Sequence, residues 1–230
     1  MKKIKLYSEP VYFFAIILLA FSVAMCATTD FGLSMIVSPA FILSQKLGFI
    51  TFGQGEYIIQ GLLFIAFCIL IKKFKPIYLS SFLTGVIYGA VLDLWRLVPL
   101  FNPAVNEPGS MNIVVRIIFF ALSTVMCSLS IALFFRVYLY PQVYDFFVKG
   151  VSAHFNIDRT KFKRIFDASC LAVSCIMTLL FFGRFVGVGV GTIIITLMNG
   201  IIIGKFDKLL GKHFEFVPIF PKFAKKFEIE

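Results

Sequence analysis

The sequence predicts an all-α, polytopic membrane protein with six transmembrane helices and an inverted 3+3 repeat. Three observations lead there. First, 60% of the 230 residues are hydrophobic and only 15% are charged, with a mean hydropathy of +0.94. Water-soluble domains lie near half apolar and a quarter charged, and disordered chains need the opposite composition. Second, the apolar residues gather into six runs, each close to the ~20 residues that cross the hydrocarbon core as a helix. Third, the basic residues alternate between connections as the positive-inside rule requires.

In chain order the predicted spans are Val11–Thr29, Gly55–Ile71, Ile77–Val98, Met111–Phe135, Ile165–Phe182 and Phe185–Gly204. The first follows Lys2, Lys3 and Lys5 and imitates a secretion signal. It is expected to be retained, since removing it would break the charge alternation. With the N-terminus in the cytoplasm, 18 of the 22 basic residues fall on cytoplasmic segments. Only Lys46, Arg96, Arg116 and Arg184 stay outside. Both termini are thus expected in the cytoplasm. The net charge of +10 is read as topology and as attraction to anionic membrane lipids, not as nucleic-acid binding. The five cysteines lie in apolar runs without CxxC spacing and are expected as buried thiols.

Two connections are long. Within Asp30–Gln54, the stretch Leu33–Leu47 carries Pro39 and is too short to span, so a re-entrant or interfacial helix is expected. Tyr138–Arg164 mixes aromatic and basic residues and predicts an amphipathic helix at the headgroup level. The tail from Lys212, with Pro218 and Pro221, is expected as a membrane-surface strap.

The third span contains Thr84, Gly85 and Gly89, with Asp93 four residues on; the sixth contains Asn199, Gly200 and Gly204, with Asp207 three residues on. A proline-bearing loop (Pro39, then Pro141) and a further span precede each glycine-bearing helix. Three spans per half invert the second half relative to the first, as in many transporters. The predicted organisation is one membrane domain, 1–230, with halves of about 1–105 and 106–212 and a cytoplasmic basic tail, 213–230. Gly85, Gly89, Gly200 and Gly204 are the expected sites of close helix packing.

Several of these segments resemble one family. The loop from Asp30 through Pro39 to Ser44 is similar to the loop after the first helix in the YczE/YyaS/YitT group of bacterial membrane proteins. Gly187, Gly189, Gly191 and Thr192, followed by Asn199 and Gly200, resemble that group's closing signature, and 95–102 and 140–149 are also similar to it. The resemblance covers nearly the whole chain. It implies a multi-pass protein of the bacterial plasma membrane and supplies no activity.

Polar groups inside spans are costly, which makes them informative. Glu56 and Gln60, spaced i, i+4, share a face of the second span, and Asn199 lies mid-way along the sixth. Asp30, Asp93, Arg116 and Arg184 cluster at the outer mouth. These seven residues are the candidate binding set for a small polar solute or a coupling proton. Glu56 is alternatively an interfacial cap, Asn199 an interhelical hydrogen bond, and the outer charges plain ion pairs. Neither histidine (His154, His213) sits in a ligand set, so no metal, cofactor or catalytic group is expected. The glycines at 187–191 lack the strand and Gly-Lys-Ser/Thr sequence of a nucleotide loop. A small-solute transporter or permease is the leading expectation. The alternative is a non-transporting membrane factor that binds or regulates a partner protein through the basic segment 149–164. A mid-membrane polar cavity between the third and sixth spans would favour transport, and a dry interior would favour the alternative.

Overall fold

The computed structural model describes residues 3–227; Met1, Lys2 and the last three residues of the tail lie outside it. A short strand, β1 (Ile4–Tyr7), leads into α1 (Ser8–Thr28), followed by α2 (Ser38–Leu47), α3 (Phe52–Ile71), α4 (Leu79–Leu97), α5 (Ile113–Arg136), α6 (Val143–His154), α7 (Arg159–Phe182) and α8 (Val190–His213). The chain closes with β2 (Phe214–Val217) and the short α9 (Pro221–Ala224). Among the described residues, five helices are long and apolar enough to cross a membrane: α1, α3, α4 with the turn that precedes it, α5 and α7. The chain is an all-α, multi-pass membrane protein.

Local chemistry sets the helix ends. Thr51 and Gln54 form a reciprocal capping box at the start of α3, and Asp93 reinforces it by accepting from Thr51 Oγ1 (2.5 Å) and Gly53 N (2.8 Å). Asn112 caps α5 and Asp158 caps α7. The Asp158 cap starts α7 six residues before the predicted Ile165, so its first turns carry Arg159, Lys161, Lys163 and Arg164. Pro39 lies in the first turn of α2, where its missing N–H costs nothing, and so begins that helix instead of breaking it. The start of α8 is Val190, not Phe185. Gly187 has φ +73°, and its carbonyl accepts from Leu33 N (3.0 Å) and Ser38 Oγ (3.2 Å), holding 183–189 as a loop against the loop that follows α1.

α1 is the central helix, lying between α4 and α5, with Tyr12, Ala15, Ile16, Ala20, Val23 and Ala24 buried. α3 packs on α4 and α8 packs on α5. The two short helices cross between halves: α2 lies against α3 and α7, and α6 lies against α7 and α3. The expectation that 138–164 rests on the membrane surface is corrected here. Val143, Tyr144, Phe146, Phe147, Val148 and Val151 are buried in protein, where α6 fills the space between α3 and α7. α2 is likewise inserted, with Pro39, Ala40, Phe41 and Ile42 buried. The tail is more than a strap: β2 pairs in parallel with β1, Ile4 opposite Phe214 and Tyr7 opposite Val217, and Phe227 is buried against Tyr138 and Tyr140.

Large apolar side chains are exposed along one face of several helices, including Leu62, Ile65 and Ile69 on α3, Ile117 and Ile118 on α5, Leu180 on α7 and Leu197 and Ile201 on α8. Water does not tolerate so much contiguous apolar surface; lipid does.

Candidate functional site

The described residues form two polar centres, one buried and one open to the basic end of the bundle. At the buried centre, Glu56 and Gln60 of α3 are both 0% exposed. Glu56 Oε2 accepts from Gln60 Nε2 (2.9 Å) and from the Tyr144 hydroxyl of α6 (3.0 Å). Gln60 Oε1 accepts from Val143 N (3.3 Å), and Gln60 Nε2 also reaches Gln142 Oε1 (3.4 Å). Burial first, then the neighbouring Glu56, raises the Tyr144 phenol well above its ordinary value, which keeps it protonated and donating. Glu56 Oε1, Tyr88 Oη and Gln142 Nε2 are buried without hydrogen-bond partners. No cation pairs with Glu56 among the described residues.

The α3–α4 seam beside this centre is closed by glycine. A Cβ added at Gly85 would lie 2.3 Å from Gln60 Oε1, and one at Gly89 would lie 2.5 Å from Tyr57 and 2.8 Å from the Gly53 carbonyl. Gly200 and Gly204 differ: nothing lies within 4 Å of a Cβ at either, so they are not the packing sites expected. They face a cleft. α8 is held to the bundle through α5, with Gly191, Thr192, Ile195 and Leu210 buried, and it makes no extensive contact with α7.

That cleft is the second centre. A volume of about 900 Å³ opens at the basic end between α5, α6, α7 and α8, lined by Arg136, Asp145, Lys149, Arg159, Lys163, Arg164, Gly200, Gly204 and Asp207 among others. It shares Phe135, Asp145, Lys163, Gly200 and Ile203 with a deeper cavity of about 210 Å³ that reaches Thr196 and Asn199. Asn199 Oδ1 accepts from Ser128 Oγ of α5 (2.6 Å), so this residue both joins two helices and lines the cavity. Lys163 sits between Asp145 (3.3 Å) and Asp167 (3.2 Å), and Arg136 pairs with Asp207 (2.6 Å). The polar cavity thus lies between the fifth and sixth long helices, beside the fourth, and not between the third and sixth, where a cavity would have favoured transport.

The remaining candidates do not join either centre. Asp93 caps α3 and borders a depression of about 450 Å³ at the opposite end, together with Arg96. Asp30 is exposed with φ +54°. Arg116 donates to the Thr29 carbonyl (2.7 Å) and lies 4.6 Å from the Phe31 ring. Arg184 is exposed. No ion pair joins Arg116 or Arg184 to Asp30 or Asp93, so neither the outer gate nor the plain pairing is formed. Sequence reasoning missed Tyr88, Gln142 and Tyr144, whose hydroxyl and amide groups were hidden among apolar and aromatic neighbours. It also missed Lys163 and Asp167, although their i, i+4 spacing on α7 was a usable signal.

Residues 6–208, nearly the entire bundle from the end of β1 to the last turns of α8, match the model of a family of unknown function, DUF6198. The chain belongs to that family. No curated protein and no solved structure matches it. The DUF6198 match takes in both centres, leaving out only the tail and the first few residues.

Proposed function

We infer that this DUF6198 member is a small-solute transporter or permease of the bacterial plasma membrane, with six spans and both termini cytoplasmic. The observation that carries this reading is the difference between two comparable helix pairs. α3 and α4 meet at a seam closed by Gly53, Gly85 and Gly89, whereas α7 and α8 stand apart and leave Gly200 and Gly204 on the wall of a cleft. The cleft runs from the basic end inward to Asn199.

The contact pattern supports an inverted repeat of 1–105 on 106–212. α1 on α4 corresponds to α5 on α8, α2 on α7 corresponds to α6 on α3, and α1 against α5 is the central pair. Thr51 and Asp158 cap α3 and α7; five and nine residues on stand Glu56 and Gln60 in one half, and Lys163 and Asp167 in the other. In inverted-repeat transporters the two halves exchange conformations to open the site to alternate sides. The open α7–α8 seam and the closed α3–α4 seam then represent one of two such states, with the cleft open to the cytoplasm. Glu56, buried without a cation, is the group suited to carry a coupling proton. The resemblance to the YczE/YyaS/YitT group agrees with the membrane assignment.

Uptake of a labelled metabolite panel into proteoliposomes tests the reading. Accumulation that falls at least tenfold in the Glu56→Gln/Asn199→Ala double variant supports it. Uptake indifferent to both substitutions refutes the site, and no uptake of any solute refutes transport.

A further inference from the structure

The charges lining the cleft do not balance. Lys163 pairs with both Asp145 and Asp167, a group left with one negative charge, and Arg136 is matched by Asp207, so the three remaining cations still exceed the acids. Lys149, Arg159 and Arg164 line the same volume and form no ion pair with any described acidic residue. They come from two elements, the middle of α6 and the first turns of α7, so the fold and not local sequence brings them together. Partial desolvation first, and then the nearby Arg159 guanidinium, push the Lys149 ammonium below its ordinary value.

The rest of the lining is mixed. Phe134, Phe135, Val148 and Ile203 make an apolar wall, with the Arg159 guanidinium 5.9 Å from the Phe135 ring. Thr196 and Asn199 offer neutral hydrogen-bonding groups at the inner end. Convergent cations in a concave, partly apolar wall concentrate positive potential. Guanidinium groups match the planar edge of a carboxylate or two oxygens of a phosphate.

We propose that the cleft binds an oxyanion, phosphate or carboxylate, at Lys149, Arg159 and Arg164, with the rest of the ligand lying along the apolar wall toward Asn199. This deepens the transport reading by naming its substrate class, and only the movement of the ligand rests on that reading. The same chemistry comes from a free anionic solute or from an anionic lipid headgroup entering through the α7–α8 gap.

The test uses the full chain in phosphatidylcholine nanodiscs. Binding of radiolabelled inorganic phosphate and of radiolabelled succinate is measured by scintillation proximity. Retention of phosphatidylglycerol, doped at low fraction, is measured by native mass spectrometry. The Lys149→Gln/Arg159→Gln/Arg164→Gln variant is compared with Lys46→Gln/Arg184→Gln, which removes charge at the opposite end. Saturable binding of at least one probe, weakened at least tenfold by the first variant and unchanged by the second, is the expected result. Phosphate or succinate binding identifies a free solute, and phosphatidylglycerol retention alone identifies a headgroup. Binding of none of the three, or binding that survives loss of the three cations, overturns the proposal. Because binding is read without a gradient, a chain that binds but moves nothing in vesicles overturns transport alone. Vesicle uptake of an uncharged solute without anion binding overturns the oxyanion site alone.

Discussion

Adding one methyl group to each glycine of the two helix pairs should separate the closed seam from the open one. At Gly85 the new Cβ sits 2.3 Å from Gln60 Oε1, about 1 Å inside ordinary contact, which begins near 3.4 Å. Gln60 cannot yield freely, because its amide is held by Glu56, Gln142 and Val143 N. At Gly89 the obstruction includes the Gly53 backbone, which cannot rotate away. Overpacking of this kind costs ~1–3 kcal/mol. Strained interhelical hydrogen bonds add roughly 0.6–1 kcal/mol each. The gain in helix propensity from glycine to alanine, about 1 kcal/mol, offsets part of this. Gly85→Ala and Gly89→Ala are therefore expected to destabilise by about 1–3 kcal/mol net. Gly200→Ala and Gly204→Ala meet nothing and keep only the propensity gain, so they should be neutral or stabilising by up to ~1 kcal/mol. Reversible unfolding in mixed micelles, titrated with dodecyl sulfate and followed by circular dichroism, reads all four. Equal tolerance at the two pairs would refute the account of the seams. Gly200→Leu extends the test to function: if α7 closes onto Gly200 in the other state, this variant folds normally but loses uptake.

The tail predicts its own losses. Phe227 is 5% exposed, in edge contact with Tyr140 and Tyr138, so Phe227→Ala should cost about 3 kcal/mol in the same unfolding assay, and a cost below ~0.5 kcal/mol would remove the tail from the core. Arg136 and Asp207 are partly exposed, so a double-mutant cycle with Arg136→Gln and Asp207→Asn should give a coupling of only ~0.5–1 kcal/mol that shrinks with added salt. A larger, salt-independent coupling would mean that the cleft mouth is drier than described. Glu56→Gln removes the acidic group while keeping its size, so the variant is expected to fold with near-native stability and to lose proton-driven uptake. Full retention of that uptake would strip Glu56 of a coupling role.

Five of the six predicted spans were legible because the apolar length needed to cross a bilayer is a coarse, local quantity, and each helix falls within a few residues of its run except at the start of α7 and at both ends of α8, which runs nine residues past Gly204 to His213. The polar anomalies Glu56, Gln60 and Asn199 were legible for the same reason: apolar surroundings make them conspicuous. Their partners were not. Tyr144 meets Glu56 only because α6 inserts between α3 and α7, a contact 88 residues apart in sequence. The glycine pairs looked alike as motifs, yet one is packed and the other faces open space, because packing depends on where α3 and α7 lie and not on α4 or α8 alone. The pairing of β1 with β2 joins the two ends of the chain and has no local signal in four-residue strands.

One measurement bears most directly on the one-sided cleft. In a cysteine-free background, Asn199→Cys is placed in sealed vesicles of known orientation and treated with a membrane-impermeant maleimide from each side in turn. Labelling is expected from the side that carries Lys149 and Arg164, and protection from the side that carries Asp93 and Arg96. Protection from both sides, or labelling from the Asp93 side alone, would contradict the one-sided cleft.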